Sequence, residues 1–378
     1  MKESLLIRVT QELPKRSKTC VRNILILAQG ILLKETVCLN KIKGAVGGIT
    51  GKPDTQPGSH YKRLIRIFDA FPGGDLWLEL LAFAFRLLRL KSDYLLLDGT
   101  SWQKGSRRFH YLTLCVVYRG VAIPIYWQDL QKKGISSVEE RKQVLEKALK
   151  YYNLQGKILL ADREYIGEGW FCFLRDNKID FVIRLRGKDY KEAVNAAAGK
   201  SSGTMERKAL RSRKVGKTLG KTITLQGRSY CLVVLKNPKP DAAEPLIYLL
   251  SSLLEETPAR IAAHYPIRWQ IELCFKHLKS NGFDLEAINL GGEKRSRLMM
   301  AVVVFAYTLS VCEGLKDYKK VPVKKYKNGL QTKAASVFRT GLDKLTAYCY
   351  TMEAFLTYLL ENLITKLPPF KSKKAIIV

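Results

Sequence analysis

Two short apolar runs, each ending in an aspartate, constrain this chain more than any other feature. Tyr94-Leu-Leu-Leu leads into Asp98-Gly99-Thr100, and Lys157-Ile-Leu-Leu-Ala leads into Asp162-Arg163-Glu164. Apolar runs of that length, flanked by turn signals, suit buried strands. An acid at the C-terminal end of a central strand is costly unless it is paired or bound to a cation. The surrounding elements read β-β-β-α-β-α-β. Strand 94–97 passes through a turn at 99–105 into Arg107–Tyr118, and Arg119-Gly120 then turns the chain into a hairpin partner, Val121–Trp127. Ser136-Ser137-Val-Glu-Glu opens a helix running to about Tyr152. Strand 157–161, a helix at Glu168–Lys178 and a strand at Asp180–Leu185 complete an α/β core. The two aspartates fall on its first and fourth strands.

A third acid sits in Tyr265-Pro-Ile-Arg268-Trp-Gln-Ile-Glu272-Leu-Cys-Phe-Lys-His-Leu-Lys279. At about 100° per residue, Arg268 lies about 40° from Glu272 on an α-helix, and Tyr265 and Lys279 about 20° to either side. One acid, two bases and a phenol then share a stripe, with Ile271, Leu273, Cys274, Phe275 and Leu278 on the other faces. Read alone, this is equally an amphipathic helix with a solvated edge, and either aspartate alone is a strand cap or turn residue. Together, three acids suit an open two-metal phosphoryl-transfer site, since Mg²⁺ takes hard oxygen ligands and leaves part of its shell to substrate phosphates.

The element order resembles the RNase H-like fold, and the motifs resemble the bacterial DDE transposases of the insertion-sequence-four family, whose signature is Y-x2-R-x3-E-x6-K. Tyr265, Arg268, Glu272 and Lys279 fit every position of it, and Leu97–Thr100 and Asp162–Gly167 are similar to the family's two aspartate motifs. The resemblance implies that Asp98, Asp162 and Glu272 are the catalytic acids and bind two Mg²⁺ ions, with Mn²⁺ able to substitute. It implies that Tyr265, Arg268 and Lys279 clamp DNA phosphates near the cleaved end, with Arg163 among the DNA contacts. Relatives carry a β-rich insertion before the glutamate, and some place there a tryptophan that receives a flipped base. Tyr248, in Leu246-Ile-Tyr248, is the aromatic available for that role here.

The spacing agrees with an insertion: 64 residues separate the aspartates, but 110 separate Asp162 from Glu272. Residues 188–252 hold a basic stretch, Arg207–Lys221, and alternating runs at 222–225, 230–235 and 245–250, with turns at Gly227 and Asn237–Asp241. Residues 1–90 read as helical: Val21–Lys34, Leu39–Val46, a Gly/Pro-rich loop at 47–58, then a helix capped by Ser59 whose Lys62, Arg63 and Arg66 form a basic side. Such a helix suits a DNA major groove, or equally a packing domain with a solvated edge; the resemblance favours DNA. Downstream, Tyr318–Lys327 reads as a basic connector, and Ala334–Arg339 and Leu342–Ile364 as closing helices.

The expected architecture is therefore α/β: an RNase H-like catalytic core with a β-rich insertion, preceded by an all-helical N-terminal domain. Residues 1–90 form the end-binding domain, 91–187 and 253–316 the core, 188–252 the insertion, and 317–378 the connector and C-terminal helices. With 65 basic against 34 acidic residues, the formal charge of +31 favours a polyanionic partner. The eight cysteines form no CxxC pair and mostly sit in apolar runs, as small buried hydrophobes of a reducing compartment do. The four histidines make no cluster, and the 15-residue apolar run Leu298–Cys312 is too short to span a bilayer. No export signal is read at the N-terminus, so a cytoplasmic, nucleoid-associated bacterial protein is expected, with no membrane partner.

The expected activity is Mg²⁺-dependent cut-and-paste transposition of an insertion sequence. By the resemblance it passes through a hairpin, acting on terminal inverted repeats and target DNA as a dimer assembled on DNA. The alternative is a domesticated or immobile relative that binds or nicks DNA.

Overall fold

The structure is a computed structural model, and it describes residues 2–70, 75–186, 201–211, 218–237, 244–327 and 329–366. The chain divides into two compact units: one takes residues 2–90, 103–106 and 274–366, the other 91–102 and 107–273.

The first unit opens with five helices: α1 (Lys2–Thr10), α2 (Lys18–Lys34), α3 (Leu39–Thr50), α4 (Pro57–Ala70) and α5 (Leu76–Leu88). Ser17 caps α2, its side chain accepting from the Cys20 N–H at 3.2 Å. α3 runs four residues beyond the expected Val46, to Thr50, and Gly51 closes it in the left-handed region at φ 67°. Gly47 lets the following loop approach closely: a Cβ there would lie 3.2 Å from the Pro53 backbone. α4 begins at Pro57, where a missing N–H costs nothing, so Ser59 lies within the helix and is not its cap. α4 buries His60, Leu64, Ile67 and Phe68 and leaves Lys62 and Arg66 exposed, with Arg63 intermediate.

The second unit is built on one eight-stranded sheet. β1 (Tyr94–Lys104), β2 (Arg107–Tyr118) and β3 (Val121–Asp129) are followed by α6 (Val138–Leu149), β4 (Ile158–Ala161), α7 (Glu168–Asp176) and β5 (Asp180–Arg184). The turn expected at 99–105 is instead strand as far as Lys104, and the reversal is compressed into Gly105, at φ 59°, and Ser106. A capping box holds the start of α6, where Ser137 and Glu140 exchange side-chain and backbone bonds. Beyond β5 come α8 (Ser201–Arg211), β6 (Thr218–Leu225), β7 (Arg228–Lys236) and β8 (Leu246–Ser251). The basic stretch expected at Arg207–Lys221 is divided between α8 and β6. Residues 187–200, 212–217 and 238–243, including much of the turn expected at 237–241, lie outside the described residues, as does the tail from Lys371.

The sheet order is β3-β2-β1-β4-β5-β8-β7-β6. β1, β4 and β5 are parallel, with Leu97 opposite Ala161 and Ala161 opposite Ile183. β8 joins β5 antiparallel, pairing Ile183 with Leu250, so the three strands of the 188–252 segment extend the core sheet. The central strands are apolar on both faces, as strands covered on both sides must be.

The second unit ends in α9 (Pro258–His264), a 3₁₀ turn (Tyr265–Arg268) and the first half of α10 (Trp269–Leu278). The first unit resumes with α11 (Glu293–Asp317), a small hairpin of β9 (Val323–Lys325) and β10 (Gln331–Lys333) within the expected connector, then α12 (Val337–Leu345) and α13 (Met352–Asn362). The single long closing helix expected over 342–364 is two helices, because a 3₁₀ turn (Thr346–Tyr348) intervenes and Thr351 caps a new start by accepting from Ala354 N–H. α11 is buried on nearly every side, stacking Phe305 on Phe83 of α5 at 5.7 Å. Its helix is longer than the apolar run suggests: with the following turn it is long and apolar enough to cross a membrane, but 89% of the apolar window is buried inside the protein. α11 meets α12 backbone to backbone at Gly314 and Gly341. A Cβ on Gly314 would fall 1.9 Å from Val337 O, and one on Gly341 would fall 1.7 Å from Ser310 O.

Candidate active site

The strand ladder brings the two aspartates together. Leu97 and Ala161 are the last partners of the β1–β4 pairing, so Asp98 and Asp162 leave neighbouring strands side by side. Each accepts from the backbone N–H that follows it, Asp98 Oδ1 from Gly99 at 2.8 Å and Asp162 Oδ1 from Arg163 at 2.7 Å. Each also accepts from a tyrosine at 3.2 Å: Tyr165 O–H to Asp98, and Tyr265 O–H to Asp162. Burial pushes the carboxyl of Asp98 up to about 6, and nearby Asp162 adds to that, while the Gly99 N–H, Arg268 and the Tyr165 hydroxyl pull the other way. Burial and neighbouring acids hold the Tyr165 and Tyr265 hydroxyls above the usual range, so both are neutral donors.

Arg268 sits among all three acids. It donates to Glu272 Oε1 at 2.5 Å, lies 3.7 Å from Asp98 Oδ2, and is close enough to Asp162 to interact electrostatically. Its guanidinium is 5.9 Å from the centre of the Tyr265 ring and only 11% exposed. Glu272 therefore faces the arginine. Among the described residues no three acid, imidazole or thiol side chains converge on one ion position. The donor set still fits a hard divalent cation: carboxylate oxygens dominate it, and the ionised form of Asp98 is short of the positive charge that its burial demands.

The stripe expected over 265–279 is broken. Tyr265–Arg268 is 3₁₀ and α10 begins only at Trp269, so Tyr265 and Arg268 stack at three residues per turn in place of 3.6. Tyr265, expected as a phosphate clamp, points its hydroxyl at Asp162. Lys279 falls just past the end of α10, in the other compact unit, and pairs with Glu286 at 3.0 Å. Arg163 pairs with Glu244 at 3.0 Å, and Arg184 holds the same carboxylate at 2.7 Å. Tyr248 is half-buried on β8, its hydroxyl donating to Glu206 of α8 at 2.6 Å. Lys62, Arg63 and Arg66 belong to the helical unit.

Two contributors escaped the sequence reading. Tyr165 is part of the second aspartate motif, but nothing in its spacing announces a bond to Asp98. Arg141, 4% exposed on α6, donates to the carbonyls of Ser136, Glu164 and Ile166 and so fixes the loop that carries Asp162. A buried arginine on a helix that reads as amphipathic leaves no sequence signal.

No curated protein matches the chain. Among solved structures it is similar to one described as a piggyBac transposase synaptic complex with hairpin DNA. The identity is 14% and the TM-score 0.51, over 95% of this chain and 78% of that one. Likeness at that identity concerns the fold, which is the RNase H-like α/β fold of DDE transposases. The sequence model described as the transposase DDE domain matches residues 89–309, a stretch that contains Asp98, Asp162 and Glu272 and more than half of the chain. This chain belongs to the transposase DDE domain family.

Proposed function

We propose that the protein is a cut-and-paste DNA transposase of the Y-x2-R-x3-E-x6-K branch, working on the inverted-repeat ends of its own element. The observation that carries this reading is the family match across 89–309, within which the β1–β4 register sets Asp98 beside Asp162. The RNase H-like likeness to a transposase described with hairpin DNA supports a hairpin route, in which a freed 3′-OH attacks the opposite strand and displaces the flanking DNA, water reopens the hairpin, and the regenerated 3′-OH attacks the target. The +31 charge supports a DNA partner.

Asp98, Asp162 and Glu272 would hold divalent cations, two Mg²⁺ with Mn²⁺ able to substitute. Bound there, such ions supply Lewis-acid polarisation of the phosphate and lower the pKa of an attacking water. The chain's own groups do the rest. The tyrosine hydroxyls of Tyr165 and Tyr265 fix the rotamers of the two aspartates, and the flanking N–H groups favour the ionised carboxylates. Arg268 neutralises the acids in the free protein. Cations held by Glu272 would compete with that pairing, and Arg268, whose fork geometry suits phosphate, would then be available to grip a phosphate oxygen. Lys279 and Arg163 add phosphate contacts, and Tyr248 is the candidate stacking platform for an extruded base.

Two element ends need two active sites, so the working form is a dimer on DNA, with a largely monomeric free protein. The test is cleavage of a duplex bearing the inverted repeats that flank the gene. Nicking, hairpin formation and joining to a target, all dependent on Mg²⁺ and abolished by EDTA, are expected. Binding without strand transfer would identify an immobile relative, and no interaction with the repeats would overturn the reading.

A further inference from the structure

Resting on the transposase reading, we propose that a basic cleft beside Asp98 is a subsite for a DNA backbone phosphodiester. The cleft has a volume of about 260 Å³ and is lined by Ser101, Arg108, His110, Lys132, Lys133 and Ser136. Gly99 and Tyr165 also line it, and both hydrogen-bond Asp98. A group held there is thus separated from the candidate catalytic carboxylate by a single layer of residues.

Size and lining decide the ligand class. Pockets for small metabolites run from about 300 to 1,000 Å³ and are mostly apolar. This cleft is smaller, and cationic and hydroxyl side chains dominate it. Three cations and one carboxylate, that of Glu164, line it, and Lys132 pairs with Glu140 at 2.7 Å. Guanidinium, ammonium and hydroxyl groups are the donors that DNA phosphates take. A segment of a polyanion fits that description and a free-standing metabolite does not.

The cleft is also built in advance. Arg141 donates to Ser136 Oγ at 3.0 Å and Ser136 O at 2.6 Å on one wall, and to Glu164 O at 2.8 Å on the other. Its guanidinium lies 5.2 Å from the centre of the Tyr165 ring. One buried cation therefore ties the lysine-bearing loop to the loop that follows Asp162. At the base, Asp129 Oδ1 accepts from the N–H groups of His110 and Gln131, each at 3.1 Å, and Leu130 N–H donates to His110 O at 2.7 Å. Gly99 leaves room for the imidazole: a Cβ there would lie 3.1 Å from His110 Nε2. Loops fixed before the ligand arrives lose little freedom on binding it.

The phosphodiester belongs either to the element end or to the target DNA, and the same chemistry serves both. The experiment compares the full-length wild type with Arg108→Ala/Lys133→Ala in two arms. One arm measures binding of a duplex carrying the flanking inverted repeat across a salt series. The other measures capture of a duplex of arbitrary sequence by protein already bound to cleaved ends. Each lost phosphate contact should lower the log–log salt slope by about 0.9, with roughly tenfold weaker binding and an unchanged melting temperature. Arg108→Lys with Lys133 intact should restore most of the slope. Loss in the first arm assigns an end phosphate, and loss in the second alone assigns a target phosphate. If the double variant does not fold, the single changes Arg108→Gln and Lys133→Gln take its place. A wild type that cleaves ends, matched by the variants in both arms, overturns the subsite and leaves the transposase reading standing. A wild type that neither binds nor cleaves the ends overturns both.

Discussion

Asp98 and Asp162 follow directly on Leu97 and Ala161, the final partners of a parallel ladder, so the sheet itself fixes how the two carboxylates face each other. Glu272 comes from a separate helix and is held by Arg268. Asp98→Asn, Asp162→Asn and Glu272→Gln are each expected to lower end cleavage at least about a thousandfold, roughly 4 kcal/mol of barrier. End binding in a gel shift should stay near wild type. A mutant that cuts at close to the normal rate would remove that acid from the site.

Arg268 and Lys279 should separate by when they matter. Arg268→Ala leaves three acids without their internal cation, so the free protein should bind Mn²⁺ more tightly while complexes with cleaved ends weaken. Lys279→Ala should leave metal affinity alone and cost about 1.5–3 kcal/mol of end-complex stability, one charge-assisted contact. Calorimetry with Mn²⁺ and dissociation rates of end complexes read the two effects; Mn²⁺ affinity unchanged in Arg268→Ala would contradict the first.

The carboxyl of Asp98, at about 6 in the folded protein against an ordinary 3.8, carries a pH signature. A raised acid favours the fold most when protonated, so its contribution is fully present below about pH 4 and is lost as pH rises through 6. Asp98→Asn should therefore flatten the melting-temperature profile between pH 4 and 6. Tyr165→Phe removes a donor to the ionised form and should move the acid limb of Mg²⁺-dependent cleavage to higher pH. An unmoved limb would mean that the hydroxyl does not act on Asp98.

Where α11 crosses α12, no atom can be added. Gly314→Ala and Gly341→Ala each drive a methyl group into a backbone carbonyl. Overpacking of this kind typically costs about 1–3 kcal/mol, and at a backbone contact the upper end is expected. Thermal denaturation checks it; a loss below 0.5 kcal/mol, roughly the scale of a neutral surface change, would show that the helices can part easily.

His277, stacked on Phe338 at 4.7 Å, is held down to about 4 chiefly by burial, with Arg339 and Lys276 adding to it. A depressed histidine is neutral in the fold and protonates first in the unfolded chain, so its contribution is lost as pH falls from about 6.5 toward 4. His277→Gln should lose less stability than the wild type over that interval in acid titrations followed by circular dichroism.

Much of this was legible in the sequence because local rules carry it. The apolar runs ending in Asp98 and Asp162 are strands, and Ser137 with Glu140 does start a helix. The misses have physical causes. Gly99–Gly105 looks like a turn, but sheet pairing holds it extended up to Lys104. Tyr265 to Lys279 looks like one helix, but Pro266 falls in a 3₁₀ turn that alters the angular arithmetic. The bonds of Tyr165 to Asp98 and of Arg141 to three carbonyls depend on tertiary packing, which periodicity does not encode.

The interleaving of the two units also bears on how the protein is made. α2 and α5 are synthesised early, with apolar faces that are covered by α11, and the entire sheet unit is translated between them. A nascent chain therefore leaves the ribosome with a greasy five-helix fragment awaiting its central helix. The sheet unit can close first, and the helical one only near the end of translation. Premature termination between Asp162 and Glu293 would release a chain that holds both strand aspartates and exposes an unfilled core, a natural target for chaperones and proteases.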